Sequence, residues 1–483
     1  MKRVWSVAQI RAAEAKVIAS TGPDELMQRA AYALSVHCGQ ILGRMYGARV
    51  VLLVGAGNNG GDALYAGVQL LARGAAVHAV LLTPHRVHPR GVLAFADAGG
   101  TVGTAESAQD VLGRAALVVD GIVGIGGSGP LRPPADALVA DLRCPVVAVD
   151  VPSGIDADTG HGAGAAVSAT STVTFGGLKP GLVVGAGVRH SGRIEEIDIG
   201  LGPHLADPVA LVLERADAAA WLPVPLPGDD KYTRGVVGVV SGSAAYEGAA
   251  VLSVGGALRG KAGLVRFAGS AADGVRARWP EAVVSAGRPA AAGRVQAWVI
   301  GPGLGTDEHA RGLVAEVLST DVPVVVDADA LTLIASEPQL VRSRTAPTVL
   351  TPHDREFERI FGPLGDDRLG GARRAATDFG ATVLLKGDRT LVADPDGECF
   401  VNTSSTPWLA TAGAGDVLAG LCGALLATLG CSPLRAGAVA AWLHGSAATL
   451  ASGGGPVVAG DVAAALPAVI RDVLTRDDGD DES

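Results

Sequence analysis

The feature that most constrains this chain is a rhythm. Short apolar runs recur, and most are followed by a stretch long enough for a helix. In the first half the runs are "RVVLLV" from Arg49, "AVHAVLL" from Ala76, "ALVVD" from Ala116, "PVVAVD" from Pro145 and "STVTF" from Ser171. Strands that alternate with helices pair in parallel through crossover connections. Ligands then bind beyond the carboxyl ends of the strands. Those ends fall at 55–62, 120–130 and 150–156, all rich in Gly, Asp, Asn and Ser. Ahead of the rhythm, Ser6 and Gln9 have the spacing of a helix capping box. Ile10, Val17 and Ile18 follow at helical spacing, and a second helix after "GPDE" carries Leu26, Ala30, Leu34 and Ile41 on one stripe.

Around 202–230 the texture becomes proline-rich, which marks a boundary. Beyond it the rhythm restarts with "GVVGVVSGS", "AGLVRFAGS", "AWVIGPGLG", "PVVVDADAL", "TVLTPH" and "TVLLKGDRT". The chain therefore reads as two α/β domains, 1–215 and 220–483. Their glycine motifs differ in order and chemistry, so the halves are not a repeat. With 48% hydrophobic residues in 483, each half can bury a core of its own.

Charge narrows the partners. The formal net charge is −10 and no Lys/Arg cluster stands out, against the basic footprint that a nucleic-acid partner needs. The tail "RDDGDDES" reads as a solvated, disordered end. The N-terminus is charged where a signal peptide needs its apolar core. The longest apolar run, Val417 to Leu429, is shorter than the roughly 18 residues of a membrane span. Cys38, Cys144, Cys399, Cys422 and Cys431 form neither a CxxC pair nor a metal spacing. A cytoplasmic protein, with no nucleic-acid or membrane partner, is expected.

The first site gathers at "GAGNNGGDA". Gly55, Gly57 and Gly60 have dinucleotide-fingerprint spacing, but the next strand ends in "LLTPHR", without the acid that such a site carries. Asn58, Asn59 and Asp62 suit either a hard cation or ribose hydroxyls, and equally suit turn forming and helix capping. Two further strand ends favour a site: Asp120 before "GIVGIGGSGP", and Asp150 with Ser153 in "VDVPSGIDADTG".

"GAGNNGGDA", "VVDGIVGIGGSGP" and "VDVPSGIDADTG", in this order after two helices, resemble the NAD(P)H-hydrate epimerases over residues 1 to about 215. The resemblance implies a Rossmann-like three-layer domain that binds the hydrated cofactor and uses a potassium ion. It assigns potassium to Asn59, Asp120 and Ser153. Substrate falls to Asn58, Asn59, Gly60, Gly61 and Asp62, and to Gly124, Ile125, Gly126, Gly127, Ser128, Gly129 and Pro130. Asp150 becomes the substrate-contacting acid/base. The family usually has glycine where this chain has Ala63.

The second site centres on "TAGAGDVLAG". Its residues read either as a capped buried helix with Asp416 at the positive end of the dipole, or as an anion hole with Asp416 as base. "YEGAAVLSVGGALRGKAGLV", "VIGPGLG", "VVDADAL", "LTPHDREFERIFG" and "LLKGDRTLVADPDG" accompany it. The set resembles the ADP- or ATP-dependent NAD(P)H-hydrate dehydratases, of ribokinase-like fold, over about 225 to 470. By that match Ala249, Gly305, His353 and Asp416 contact the hydrated dinucleotide. Lys386, Gly387, Asp388, Arg389, Thr390 and Gly415 contact ADP or ATP, with Mg²⁺ on its phosphates. Asp327 and Asp329 shape the pocket floor. "DRE" after His353 and the segment "NTSSTPWLATAGAG" depart from the family pattern.

Together the halves imply a bifunctional cofactor-repair enzyme, an epimerase feeding a dehydratase, in a homo-oligomer. A rival reading makes the C-terminal half a sugar or vitamin kinase and the N-terminal half a non-catalytic ligand-binding or oligomerisation module.

Overall fold

The computed structural model describes residues 1–285, 287–428 and 432–475. Cys431, Leu429 and the acidic tail lie outside them. The chain divides into two compact units, Arg3–Ala210 and a second made of Met1–Lys2 with Leu211–Ser483.

Strands are numbered along the chain from β1 (Lys2–Val4). The first unit holds β2 (Arg49–Val54), β3 (Ala76–Leu81), β4 (Thr101–Thr104), β5 (Leu117–Gly121), β6 (Val146–Val149), β7 (Ser171–Phe175) and β8 (Arg193–Ile197). They form one parallel sheet in the order β4-β3-β2-β5-β6-β7-β8. The order reverses between β2 and β5, the place where an open α/β sheet takes its ligand. Alternate residues of β2 serve opposite cores. Val50, Leu52 and Val54 pack under helices Val7–Thr21, Pro23–Leu42 and Asn58–Ala72, while Val51 and Leu53 face Ile122, Leu131 and Leu138. Burial on both faces is why these strands read as unbroken apolar runs. The Ser6–Gln9 capping box is formed, with both bonds made. Ile10 and Val17 are buried, but Ile18 is 37% exposed. One residue on from Val17, it turns about 100° away from the buried stripe.

The second sheet runs β1-β9-β18-β17-β16-β15-β14-β13-β10-β11-β12. Its members after β1 are β9 (Ala210–Val212), β10 (Val236–Val240), β11 (Leu264–Ala268), β12 (Val283–Ser285), β13 (Ala297–Ile300), β14 (Val324–Val326), β15 (Thr348–Leu350), β16 (Thr382–Leu385), β17 (Thr390–Ala393) and β18 (Cys399–Asn402). From β12 through β16 the pairing is parallel; β17 runs antiparallel to both neighbours. Val237 and Val239 face helices Glu247–Arg259, Ala414–Thr428, Pro433–Ser452 and Ala459–Thr475; Val236 and Val240 face the opposite core. Among the described residues no helix is long and apolar enough to cross a membrane.

Candidate active sites

In the first unit the carboxyl ends of β2, β5, β6 and β7 surround a cavity of about 940 Å³. Gly55 ends β2 because a side chain there would meet the Ile122 carbonyl oxygen at 1.9 Å. Gly57, at φ +83°, turns the chain into the helix Asn58–Ala72. The Ala63 methyl points to the sheet, where it packs against Gly121 of β5 and leaves the pocket side of the loop clear.

Asn59, Asp120 and Ser153 come together. The Asp120 carboxylate, fully buried, accepts from Ser153 Oγ at 2.6 Å, from the Ser153 amide at 2.9 Å and from the Ile122 amide at 3.2 Å. Ser153 Oγ also sits 2.9 Å from the Val123 amide. With its amide oriented so that both atoms find partners, Asn59 donates to the Val149 carbonyl at 3.1 Å and accepts from the Gly124 N–H at 3.3 Å. Burial raises the Asp120 carboxyl to about 6, only partly offset by the bonds from Ser153 and Ile122, and among the described residues no cationic side chain pairs with it.

Asp150 follows β6 with φ +67°, a strained backbone for a residue with a Cβ. Its partner is Lys179, a fully buried side chain absent from the residues singled out in the sequence. The Lys179 ammonium donates to Asp150 Oδ1 at 2.5 Å, Thr174 Oγ1 at 2.9 Å and the Phe175 carbonyl at 2.8 Å. Asp150 Oδ1 also accepts from Thr174 Oγ1 and the Phe175 amide, each at 3.2 Å. The three bonds that Asp150 accepts, from Lys179, Thr174 and the Phe175 amide, converge on Oδ1. Asp62 and Glu14 line the same cavity, and burial, reinforced by the Asp150 charge, pushes both carboxyls up. The signal for Lys179 was present: one charge inside the apolar stretch "STVTFGGLKPGLVV" must find a buried partner.

Residues 124–130 form a half-exposed to exposed rim of the same cavity, and Arg11 Nη2 donates to the Ile125 carbonyl there at 3.3 Å.

In the second unit three neighbouring strand ends meet. Asp327 follows β14, Thr351 follows β15 and Lys386 follows β16. Asp327 Oδ1 accepts from Thr351 Oγ1 at 2.8 Å and from Lys386 Nζ at 2.7 Å. Glu356 Oε2 lies 3.8 Å from the same ammonium. Burial works against the Lys386 charge, but Asp327 and Glu356 outweigh it and raise its pKa. Gly413, at φ +83°, leads into the helix Ala414–Thr428. A side chain at Gly415 would lie 3.5 Å from Lys386 Nζ, so the turn sits directly over the Lys386–Asp327 pair. Asp416, in the first turn, is raised to about 7 by burial and the Asp327 charge, with Lys386 pulling the other way.

Around this point the other expected contacts are distributed at different depths. Asp329 Oδ2 accepts from the Gly305 amide at 2.8 Å. Ala249 packs beside Gly303. His353 caps the helix Asp354–Phe361, bonding the Glu356 amide at 3.3 Å while its side chain stays 52% exposed. Asp354, part of the "DRE" departure, pairs with Arg368 at 2.7 Å. Gly387 and Asp388 are exposed; Arg389 turns back to the Thr403 carbonyl, and Thr390 opens β17. In the departing segment Asn402 ties Ser404 and Ala441 together through its amide, and Trp408 Nε1 donates to the Gly454 carbonyl at 3.1 Å.

The two units thus define a two-site α/β protein. One site is of dinucleotide-binding topology; the other is a glycine turn over a charged pocket floor. The family described as NAD(P)H-hydrate dehydratase matches residues 237–464, and that described as YjeF-related protein N-terminus matches 23–181. The bifunctional NAD(P)H-hydrate repair enzyme Nnr of Mycobacterium leprae is 50% identical over 488 residues, covering 98% of this chain and 99% of its own. That of Mycobacterium tuberculosis is 52% identical over 436 residues, covering 89% and 90%. A solved ribokinase-like superfamily protein from Enterococcus faecalis is 28% identical, covers 56% of this chain and 99% of its own, and superposes with a TM-score of 0.51. The chain belongs to the family of bifunctional NAD(P)H-hydrate repair enzymes.

Proposed function

We propose that the chain restores hydrated nicotinamide cofactors, exchanging the R and S hydrates in the first unit and dehydrating the S form in the second at the expense of ADP or ATP. What carries the reading is the presence, in one chain of this family, of two carboxylate sites built in opposite ways. Asp150 is locked to a buried ammonium; Asp416 is held near neutrality.

In the first site Lys179, Thr174 and the Phe175 amide all bind Asp150 Oδ1, which leaves Oδ2 to the substrate. The hydrate is a carbinolamine. Its C6 hydroxyl exchanges faces by reversible C–O or C–N cleavage assisted by the ring nitrogen, and a carboxylate that gives and takes a proton serves either route. The 58–62 turn and the 124–130 loop hold the dinucleotide over this group.

A potassium ion fits the first unit. The donors around Asp120 are hard oxygens, and the buried carboxylate lacks a counter-charge. Asn59, Asp120 and Ser153 would hold the ion, which would supply that charge and fix the loop after β5. Asp120→Ala should slow epimer exchange and remove its dependence on potassium. Equal loss of dehydration would instead mark general unfolding.

In the second site hydroxide must be made a better leaving group. Asp416 takes the C6 hydroxyl proton as the oxygen attacks the terminal phosphoryl group. N–H groups of the turn at Ala414–Asp416 face the charge that develops. The nucleotide departs one phosphate shorter; the C6–O bond then breaks as the ring nitrogen pushes phosphate out, and loss of the C5 proton restores the C5=C6 double bond of the dihydronicotinamide. The 386–390 segment and Gly415 hold the nucleotide, Ala249, Gly305 and His353 the hydrate. Mg²⁺ would accompany the nucleotide phosphates and offset their charge.

The assignment extends to the cytoplasm, where thiols stay reduced; Cys38, Cys144 and Cys399 form no disulfide. The homo-oligomer expected from the sequence belongs to the same reading, and sedimentation of the whole chain checks it. The deciding experiment incubates mixed-epimer hydrate with the protein and ADP or ATP, following the dihydronicotinamide absorbance. Full recovery supports both activities. Recovery of only half the hydrate removes the epimerase, and phosphorylation of a simple alcohol in place of recovery favours the kinase reading.

A further inference from the structure

The first site carries a device for reading the substrate's remote end. We infer that Arg86 binds the 2′-phosphate of the adenosine ribose, so that this site favours the phosphorylated hydrate, NADPH-derived, over the NADH-derived one. The inference rests on the epimerase reading above.

The argument starts from the sheet order. Asp150 follows β6 and Arg86 follows β3, with β2 and β5 between them. At about 4.8 Å per strand, these ends stand on the order of 14 Å apart, the span of an extended dinucleotide. One cavity touches both residues, along with the Gly55–Asn59 turn that lies between them, next to the end of β3. With the hydrated ring at Asp150 and the pyrophosphate over the turn, the adenosine ribose falls at the end of β3.

What stands there decides the form recognised. A site that takes the unphosphorylated cofactor places an acid at this strand end to accept the ribose 2′-hydroxyl, whereas an arginine accommodates a 2′-phosphate. Here β3 continues as Leu82-Thr83-Pro84-His85-Arg86, with no carboxylate. The Gly57 N–H donates to the Arg86 carbonyl at 3.4 Å, which stitches this turn to the glycine loop. The Arg86 guanidinium is exposed and makes no ion pair or hydrogen bond among the described residues. Its neighbour Arg90 is already spent on Asp24, at 2.7 Å. Arg132 also lines the cavity, but it follows the loop after β5. A free guanidinium offers a planar fork that matches phosphate oxygens two at a time.

The test is the ratio of kcat/KM for epimer exchange of the two hydrates by the whole chain. The wild type should favour the phosphorylated hydrate, and Arg86→Glu should cut the ratio by about tenfold or more. The change should enter through KM for the phosphorylated hydrate, with Arg86→Lys keeping part of the preference. Arg132→Glu should leave the ratio within about twofold, the scatter ordinary for a rim charge. Titration with adenosine 2′,5′-bisphosphate provides a readout without turnover, since Arg86→Glu should remove a binding event that adenosine 5′-monophosphate does not show. A wild-type ratio near one, a ratio unmoved by Arg86→Glu, or one moved by Arg132→Glu instead overturns the inference and leaves the epimerase reading standing. Absence of exchange with either hydrate sinks both.

Discussion

Two acids, Asp150 and Asp416, sit in contrasting surroundings, and their predicted behaviour differs accordingly. Lys179 is fully buried and, among the described residues, hydrogen-bonded to Asp150, Thr174 and Phe175. Lys179→Met leaves Asp150 as a buried charge without its partner, a change that costs about 3–5 kcal/mol. Denaturant unfolding should show that loss, epimer exchange should vanish, and adding Asp150→Asn should restore most of the stability but none of the exchange. Asp416 is the reverse case. Its carboxyl is raised from 3.8 to about 7, so the folded chain binds the proton more tightly than the unfolded one. This group therefore favours the folded state in acid, and its contribution is lost as pH rises from 3.8 through about 7. Catalysis runs the other way, because a base must be ionised, and dehydration should climb as pH rises through about 7, where the folded carboxyl titrates. Asp416→Asn should flatten the stability slope and cost about 10²–10⁴ in dehydration rate. A variant that still dehydrates the S hydrate at near wild-type rate would make Asp416 a helix cap and nothing more.

The helix that carries Asp416 is placed by glycines on both sides of one contact. A side chain at Gly420 would meet the Ser253 carbonyl oxygen at 2.0 Å, and one at Gly256 would meet the Val417 carbonyl oxygen at 2.2 Å. Helices Ala414–Thr428 and Glu247–Arg259 thus touch backbone to backbone, which fixes the depth of Asp416 over Lys386 and Asp327. Gly420→Ala must push them apart. The expected cost is about 1–3 kcal/mol, with dehydration impaired and epimer exchange intact; unchanged dehydration would show that the pocket tolerates the shift. Elements of this kind differ in how plainly the sequence announces them. The buried parallel strands were legible because apolar residues fill both faces, as in "RVVLLV" and "GVVGVV". The edge strands β4, β8 and β12 were not, since "TVGT", "RIEEI" and "VVS" are partly solvated and lack that signature. β9 was hidden inside the proline-rich stretch. In the sites, the acids at strand ends were legible from the turn residues around them. Glu356 was not, because it acts through Lys386, a partner distant in sequence; Lys179 announces only that it needs a buried partner, not that the partner is Asp150.

Two sites on one chain raise the question of how far each depends on the other. Every side chain placed in the epimerase site lies between Arg11 and Lys179, within the unit Arg3–Ala210. Every side chain placed in the dehydratase site lies between Ala249 and Asp416, within the other unit. Each unit has its own sheet with a core on either face. Each is therefore large enough to fold alone, since domains of this size bury most of their apolar surface without help. The stretch 202–230 is more than a tether, for it contributes β9 and the helix Arg215–Trp221, and Arg215 pairs with Asp472 at 3.4 Å. A cut there has to spare that helix. Expressed separately, residues 1–215 should exchange epimers without nucleotide, and 220–483 should dehydrate the S hydrate alone. The second fragment should also melt at lower temperature than the same unit in the whole chain, because it loses the Arg215–Asp472 contact and the packing of Ala218 in the core. Starting it at 211 should restore that loss. Fragments that become soluble only on co-expression would show that folding of each unit requires the other.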